Sequence, residues 1–311
     1  MNHENYQRLI NAAKTLPPVA TAVAHPCDAS SLSGAIDAAK LGLITPILVG
    51  PKTRIEAVAQ SCQLDLSPYE IVDAPHSHAA AAKAVELVRA GRAEVLMKGS
   101  LHTDELMAAV VHKDTGLRTA RRISHCFVMD VPNHPDPLII SDAAVNIAPT
   151  LQTKADIVQN AIDLAHALHL PQVRVAILSA METVNPQVPS TIEAAALCKM
   201  ADRGQISGGL LDGPLALDNA INLEAAQIKQ IDSPVAGRAN VLIVPDLEAG
   251  NMLAKSLSFL ASADSAGIVL GARVPIILTS RADSVMARLA SCAVAAFVVQ
   301  ARRDSAAKAL A

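Results

Sequence analysis

Ser280 and Arg281 stand where the apolar run Pro275-Ile-Ile-Leu-Thr ends and a helix-like stretch begins. A hydroxyl and a guanidinium delivered to a strand end are suited to stabilising negative charge that develops on an acyl or phosphoryl oxygen. The tetrad Ser280-Arg-Ala-Asp283 also matches a helix capping box, which by itself accounts for both Ser280 and Asp283. A second anion-binding pattern is Met97-Lys-Gly-Ser-Leu-His-Thr103, where Lys98, the amides around Gly99 and the hydroxyls of Ser100 and Thr103 follow a strand and precede a helix. Thr103 and Asp104 have the plainer alternative of capping that helix. Arg118, Arg121 and Arg122 place three guanidiniums within five residues just ahead of another strand, and each planar fork can grip two phosphate oxygens at once.

Asp212-Gly-Pro and Asp218-Asn219 read as the end of a strand and the opening of a helix, with capping as their simpler role. Pro245–Asn251 repeats the theme with Asp246 and Asn251, and Lys255 falls four residues beyond Asn251 on the same helix face. Strand ends of this kind are where open α/β sheets bind ligands. The His-x-His of Pro75–His78 introduces a helical run and has neither a cysteine partner nor a His-Glu-x-x-His nearby, so no metal site is expected. No Gly-x-Gly-x-x-Gly follows the first strand-like run, so a nicotinamide fingerprint is missing.

The elements that must position these groups alternate almost from end to end. Strand-like runs at Val19–Ala24, Pro46–Val49, Glu94–Met97, Arg174–Leu178, Gly208–Leu211 and Val241–Val244 are separated by helical patterns such as Ala79–Ala90, Thr153–Leu168 and Asn219–Ile228. Alternation of this kind implies a mostly parallel sheet covered by helices on both faces. The segment Asp130–Asp142 breaks the pattern: two strand-like runs flank a short proline-rich turn, which predicts a hairpin or a sheet-edge excursion. Ser141–Thr150 then reads as a polar connection suited to a domain boundary.

With 311 residues, 51% of them hydrophobic, and a net charge of −3, the chain can bury a large core and divide into two domains. There is no Trp and there are only three Phe and two Tyr, which leaves little for base stacking, and no long basic run offers a phosphate backbone its counter-charge. Nucleic acid is therefore not an expected partner; a small molecule is. The polar, mixed-charge start lacks a secretory pattern, and no apolar stretch is expected to reach the ~18–20 residues a bilayer crossing needs. Five widely spaced cysteines fit reduced thiols. A cytoplasmic protein without membrane contact is the expectation.

Taken in order, Lys98–Thr103, Arg121–His125, Leu211–Ala220, Pro245–Asn251 with Lys255, and Pro275–Ser284 resemble the phosphate acetyl/butyryltransferase family over about residues 15 to 300. The resemblance implies reversible transfer of an acyl group between coenzyme A and inorganic phosphate, with acyl-CoA and phosphate as substrates, no permanently bound cofactor and no metal. It implies a two-domain, three-layer α/β/α fold like that of isocitrate and isopropylmalate dehydrogenases. Residues 1–147 with 284–311 would form the first α/β domain and 148–283 the second, the active site would lie in the cleft between them, and a homodimer or pair of dimers would be the working form.

Ser280 and Arg281 fall on the family's Ser-Arg pair, the first implied to bind the thioester oxyanion or sulfur and the second the phosphate oxygens. Asp283 is the nearest carboxylate, because the position seven residues after that serine, an aspartate in the acetyl-specific branch, is Ala287 here. Acetyl transfer is the expected reaction, with butyryl transfer as the alternative. Two readings of other classes are a non-catalytic acyl-CoA-binding module and a metal-dependent oxidoreductase on the same architecture, for which Asp212 and Asp246 are the only tempting ligand pair.

Overall fold

The computed structural model describes residues 4–132, 134–279 and 283–310, with the side chains of 4, 309 and 310 left aside. The chain divides into two compact units, one of Tyr6–Arg121 with Ala266–Ala311, the other of Arg122–Ser265 with Met1–Asn5.

In the first unit, β1 (Val19–Ala24), β2 (Ile44–Gly50), β3 (Glu70–Asp73), β4 (Val95–Lys98) and β11 (Ile276–Ile277) run parallel in the order β3-β2-β1-β4-β11, and β10 (Asp264–Leu270) lies antiparallel to β11. Helices α1 (Glu4–Ala13), α2 (Ala29–Lys40), α3 (Lys52–Ser61), α4 (Ser77–Arg89), α5 (Thr103–Val111) and α11 (Val285–Leu310) accompany them. β1 reads Val-Ala-Thr-Ala-Val-Ala and is buried along nearly its whole length, as a central strand covered on both faces should be. β3 carries only Ile71 and Val72 between two acidic residues and is half-exposed at the sheet edge, so hydrophobic patterning gave it no signal.

In the second unit the order is β5-β6-β9-β7-β8: β5 (Ser124–Asp130) and β6 (Leu138–Ser141) form the expected antiparallel hairpin, while β6, β9 (Val241–Ile243), β7 (Arg174–Leu178) and β8 (Leu210–Leu215) are parallel. Around them lie α6 (Leu151–Ala167), α7 (Pro189–Asp202), α8 (Leu217–Ile221), α9 (Leu223–Ile228) and α10 (Leu247–Leu260). Met129, Leu138, Ile140, Leu178, Leu215 and Leu242 centre one buried apolar cluster. The mostly parallel α/β architecture agrees with the alternation in the sequence.

The backbone passes between the two compact units at Asn5/Tyr6, Arg121/Arg122 and Ser265/Ala266. Two expectations change. The helix expected over Asn219–Ile228 is two helices, interrupted at Asn222, whose side chain accepts the Ala225 N–H at 2.9 Å and starts α9 afresh. The stretch Val285–Lys308 is also long and apolar enough to cross a membrane by length and composition, contrary to the sequence reading; 67% of its most apolar window is buried inside the protein, as in a core helix.

Candidate active site

The parallel strands of the first unit end together in a polar cluster. At the end of β4, Lys98 is buried, with Nζ 3.4 Å from the Gly99 carbonyl and 3.5 Å from that of Thr279, the residue before Ser280. The tip of β11 thus leaves the sheet beside β4. Ser280 and Arg281 themselves lie outside the described residues. α11 is capped by Ser284, whose Oγ accepts the Ala287 N–H at 3.0 Å, so the capping box starting at Ser280 is not how this helix begins. Asp283 is half-buried just ahead of that cap, and Ala287 is buried.

Beside Lys98, Ser100 Oγ donates to the His25 carbonyl oxygen at 2.8 Å, accepts the Cys27 N–H at 3.3 Å and stands 3.0 Å from His25 Nδ1. Its hydroxyl therefore ties β4 to the end of β1. Burial pushes the Cys27 thiol up to about 11, only partly opposed by the Arg54 guanidinium. Thr103 is exposed at the first turn of α5 next to Asp104 and Glu105. Neither Thr103 nor Asp104 caps that helix: His102 precedes it, and Glu105 Oε2 accepts the His102 N–H at 3.2 Å. Two carboxylates at this helix start oppose an anion there, so Thr103 loses its electrostatic rationale as a phosphate ligand.

The arginines separate. Arg118 bridges to Ala272 just past the end of β10, and because β10 runs antiparallel to β11, that is the opposite edge of the sheet from Lys98. The Arg121 backbone is held there too, its N–H 3.1 Å from Thr119 Oγ1, which donates to the Gly271 carbonyl at 2.6 Å. Arg122 is exposed, belongs to the second unit and gives its N–H to Asp156 at 2.9 Å.

In the second unit, the start of β5 lies beside the end of β6, since Cys126 pairs with Ser141. Buried Asp142 follows β6 and accepts the N–H groups of Ala144, Val145 and Asn146 at 3.0 to 3.1 Å. Asp246 caps α10 through the Ala249 N–H at 2.8 Å, Asn251 Nδ2 reaches the Ala143 carbonyl at 3.4 Å, and Lys255 is exposed further along α10. Asn219 is buried and donates to Glu182 at 3.1 Å, while Lys229 joins Glu182 at 3.2 Å and Asp218 at 3.3 Å. Hydrogen bonding from the Asn219 amide and then Lys229 hold the exposed Asp218 carboxyl below the usual range. Asp212 departs from expectation: it sits inside β8, which runs on to Leu215, and its carboxylate accepts the neighbouring Gly213 N–H at 2.8 Å. A proline is tolerated there because β8 is an edge strand with a register shift against β7. No group of three or more potential metal ligands occurs among the described residues, and His76 serves as the cap of α4.

His25, Asp142, Asn146, Glu182 and Lys229 were not singled out by sequence reasoning. Only Asp142 had a signal, as a carboxylate directly after a strand-like run. His125 is fully enclosed, its ring packed edge-on against Phe127 at a centroid distance of 4.3 Å, and burial pushes its imidazole down to about 4 against the pull of Asp142. The unfolded chain therefore binds this proton more readily than the folded one, so the contribution of His125 is intact above pH ~6.5 and is lost as pH falls towards 4. Urea midpoints measured from pH 7 to pH 4.5 should fall more steeply in the wild type than in a His125→Gln variant.

Polar groups gathered at the carboxyl ends of parallel strands define an α/β enzyme of the kind whose ligand sits beyond the sheet edge. The sequence pattern of the phosphate acetyl/butaryl transferase family matches residues 76–296. The chain is 69% identical over 298 residues to the phosphate acetyltransferase of Rhizobium meliloti, covering 96% of this chain and 94% of that protein. It is 41% identical over 286 residues to the phosphate butyryltransferase of Clostridium acetobutylicum, covering 92% and 94%. Among solved structures, a branched-chain phosphotransacylase from Enterococcus faecalis V583 superposes with a TM-score of 0.79 at 29% identity, covering 90% of this chain and 99% of that one. A 4-hydroxythreonine-4-phosphate dehydrogenase from Klebsiella pneumoniae shares the fold alone, with a TM-score of 0.54 at 12% identity over 91% and 100% of the two chains. The chain belongs to the phosphate acetyl/butaryl transferase family and is an acyltransferase.

Proposed function

We propose that the protein transfers an acetyl group reversibly between coenzyme A and inorganic phosphate. The observation that carries this reading is the 69% identity to a phosphate acetyltransferase across 96% of the chain, against 41% for a butyryltransferase. Ser280 donates to the oxyanion that forms when the thiolate attacks the acyl carbon, and Arg281 holds phosphate oxygens; Arg122, Asp218, Asn219, Asp246, Asn251 and Lys255 are further candidates for substrate binding. Lys98 supports this assignment, since its ammonium reaches the Thr279 carbonyl, one residue before Ser280, at 3.5 Å. A thiol is already a few per cent ionised at neutral pH, so positioning and charge carry most of the rate.

The assay is phosphate-dependent release of free thiol from acetyl-, propionyl- and butyryl-CoA in parallel. Acetyl-CoA should give the highest kcat/KM; preference for butyryl-CoA would move the protein to the other branch, and no release with any of them would end the transfer reading. We also propose a cytoplasmic homodimer. Five cysteines that remain thiols suit a reducing compartment, and Met252, Phe259 and Leu260, exposed along one face of α10, suit a subunit contact.

A further inference from the structure

His25 ends β1 with a φ of 56°, in the left-handed region that non-glycine residues seldom adopt and that functional sites retain despite its cost. Its Nδ1 stands 3.0 Å from Ser100 Oγ, and that hydroxyl lies 2.8 Å from the His25 carbonyl, which also takes the Cys27 and Ser100 N–H groups at 2.8 Å. A hydrogen on Nδ1, given to Ser100 Oγ, leaves the lone pair on Nε2. Among the described residues Nε2 meets no hydrogen-bond partner, and it is not one of the sealed partnerless atoms, which are His125 Nδ1, Arg174 Nε and Asn219 Oδ1.

The place is right for chemistry. β1 is the strand next to β4, whose Lys98 touches the Thr279 carbonyl at the tip of β11. The charged groups facing the ring are Arg54 from α3, Glu105 from α5 and Asp28 at the start of α2, with Lys98 on the neighbouring strand. Burial, then Arg54, push the imidazole below the ordinary histidine range, while Glu105 and Asp28 pull the other way. At neutral pH the ring is uncharged and able to take a proton.

We propose, building on the acyl transfer above, that His25 is the proton acceptor for the coenzyme A thiol. In the thioester-forming direction the sulfur bonds to the acyl carbon, the S–H proton passes to Nε2, and the carbon–oxygen bond to phosphate breaks. The proton is then handed to the leaving group, which departs as hydrogen phosphate. In the opposite direction phosphate gives up that proton and Nε2–H returns it to the departing thiolate. No oxidant, metal or further reactant enters.

The test is His25→Asn in the full chain, assayed with acetyl phosphate and coenzyme A. Asparagine tolerates the left-handed backbone, and its amide N–H can still meet Ser100, so the fold is kept while the proton acceptor is lost. At pH 7 kcat should fall ~100-fold, with both KM values within about threefold, since general-base catalysis is worth ~10²–10⁴. The deficit should shrink as pH rises, to a few-fold above pH ~9, because the thiol then ionises unaided. A variant within threefold of wild type at pH 7 overturns the proposal. So does a deficit that is constant across pH, which is the mark of a merely structural residue. Should the variant not fold, the wild-type profile decides: kcat/KM must show an acidic limb below the ordinary histidine range, and a flat profile there overturns the role. Failure of the transfer reading is separate, because it would appear as an inactive wild type.

Discussion

Ser280→Ala lowers kcat by ~10²–10³ while the KM values for coenzyme A and phosphate move by no more than a few-fold; that is the expected result if the hydroxyl meets the oxyanion. The split follows from when the contact is made. The carbonyl oxygen of a bound thioester or acyl phosphate carries little charge, and the tetrahedral oxygen carries a full one, so the donor contributes mainly in the transition state. Two observations favour this role over capping: Ser284 already caps α11, and the Lys98 ammonium reaches the Thr279 carbonyl immediately before the serine. Steady-state kinetics in both directions is the measurement. Near-normal turnover would remove Ser280 from the reaction, and a large rise in KM with unchanged kcat would make it a ground-state binding group.

Gly99→Ala should be among the most damaging single changes outside the reacting groups. A Cβ at this position would lie 2.4 Å from the Ala24 carbonyl oxygen, 2.5 Å from that of His25 and 2.6 Å from the His25 carbonyl carbon. All three are backbone atoms at the end of β1, so the crossing of β1 and β4 has to open. We expect a loss of at least ~3 kcal/mol, the upper part of the range for overpacking, and a fall in activity greater than the stability loss explains, because Lys98, Ser100 and His25 are displaced together. Gly91→Ala is the control: its φ of 72° makes alanine strained, but nothing lies within 4 Å of the added carbon, so it should cost only about 1 kcal/mol and leave kcat alone. Urea unfolding and kcat on the same two preparations separate the outcomes.

Much of the architecture was legible because buried parallel strands announce themselves. β1 and β7 were placed to the residue, and the β5-β6 hairpin followed from prolines between two apolar runs. The short edge strand β3 was not legible, since half-exposed residues carry no apolar run, and α1 was hidden in a polar stretch. The candidate site divided along a similar line. Lys98, Ser100 and Asp246 were singled out because each closely follows a strand-like run, and Asp218 and Asn219 because they open a helix. His25 could not be: nothing local marks a histidine as left-handed, and its significance arises from Ser100, far along the chain. Arg118 and Arg121, grouped by sequence proximity, are both held just past the end of β10. The strand end expected at Asp212 was misplaced, because a Gly-Pro pair usually stops a strand and here an edge strand continues through it.

The passages of the backbone between units at Arg121/Arg122 and Ser265/Ala266 impose an order on synthesis. Arg122–Ser265 is contiguous, so its β-sheet can close as soon as that segment has cleared the ribosome. The segment before it, although made earlier, lacks β11, the strand that flanks β4, and lacks α11 as well. Until those arrive, the nascent chain holds Leu96 and Met97 beside an open edge, a template for wrong pairing that β11 removes.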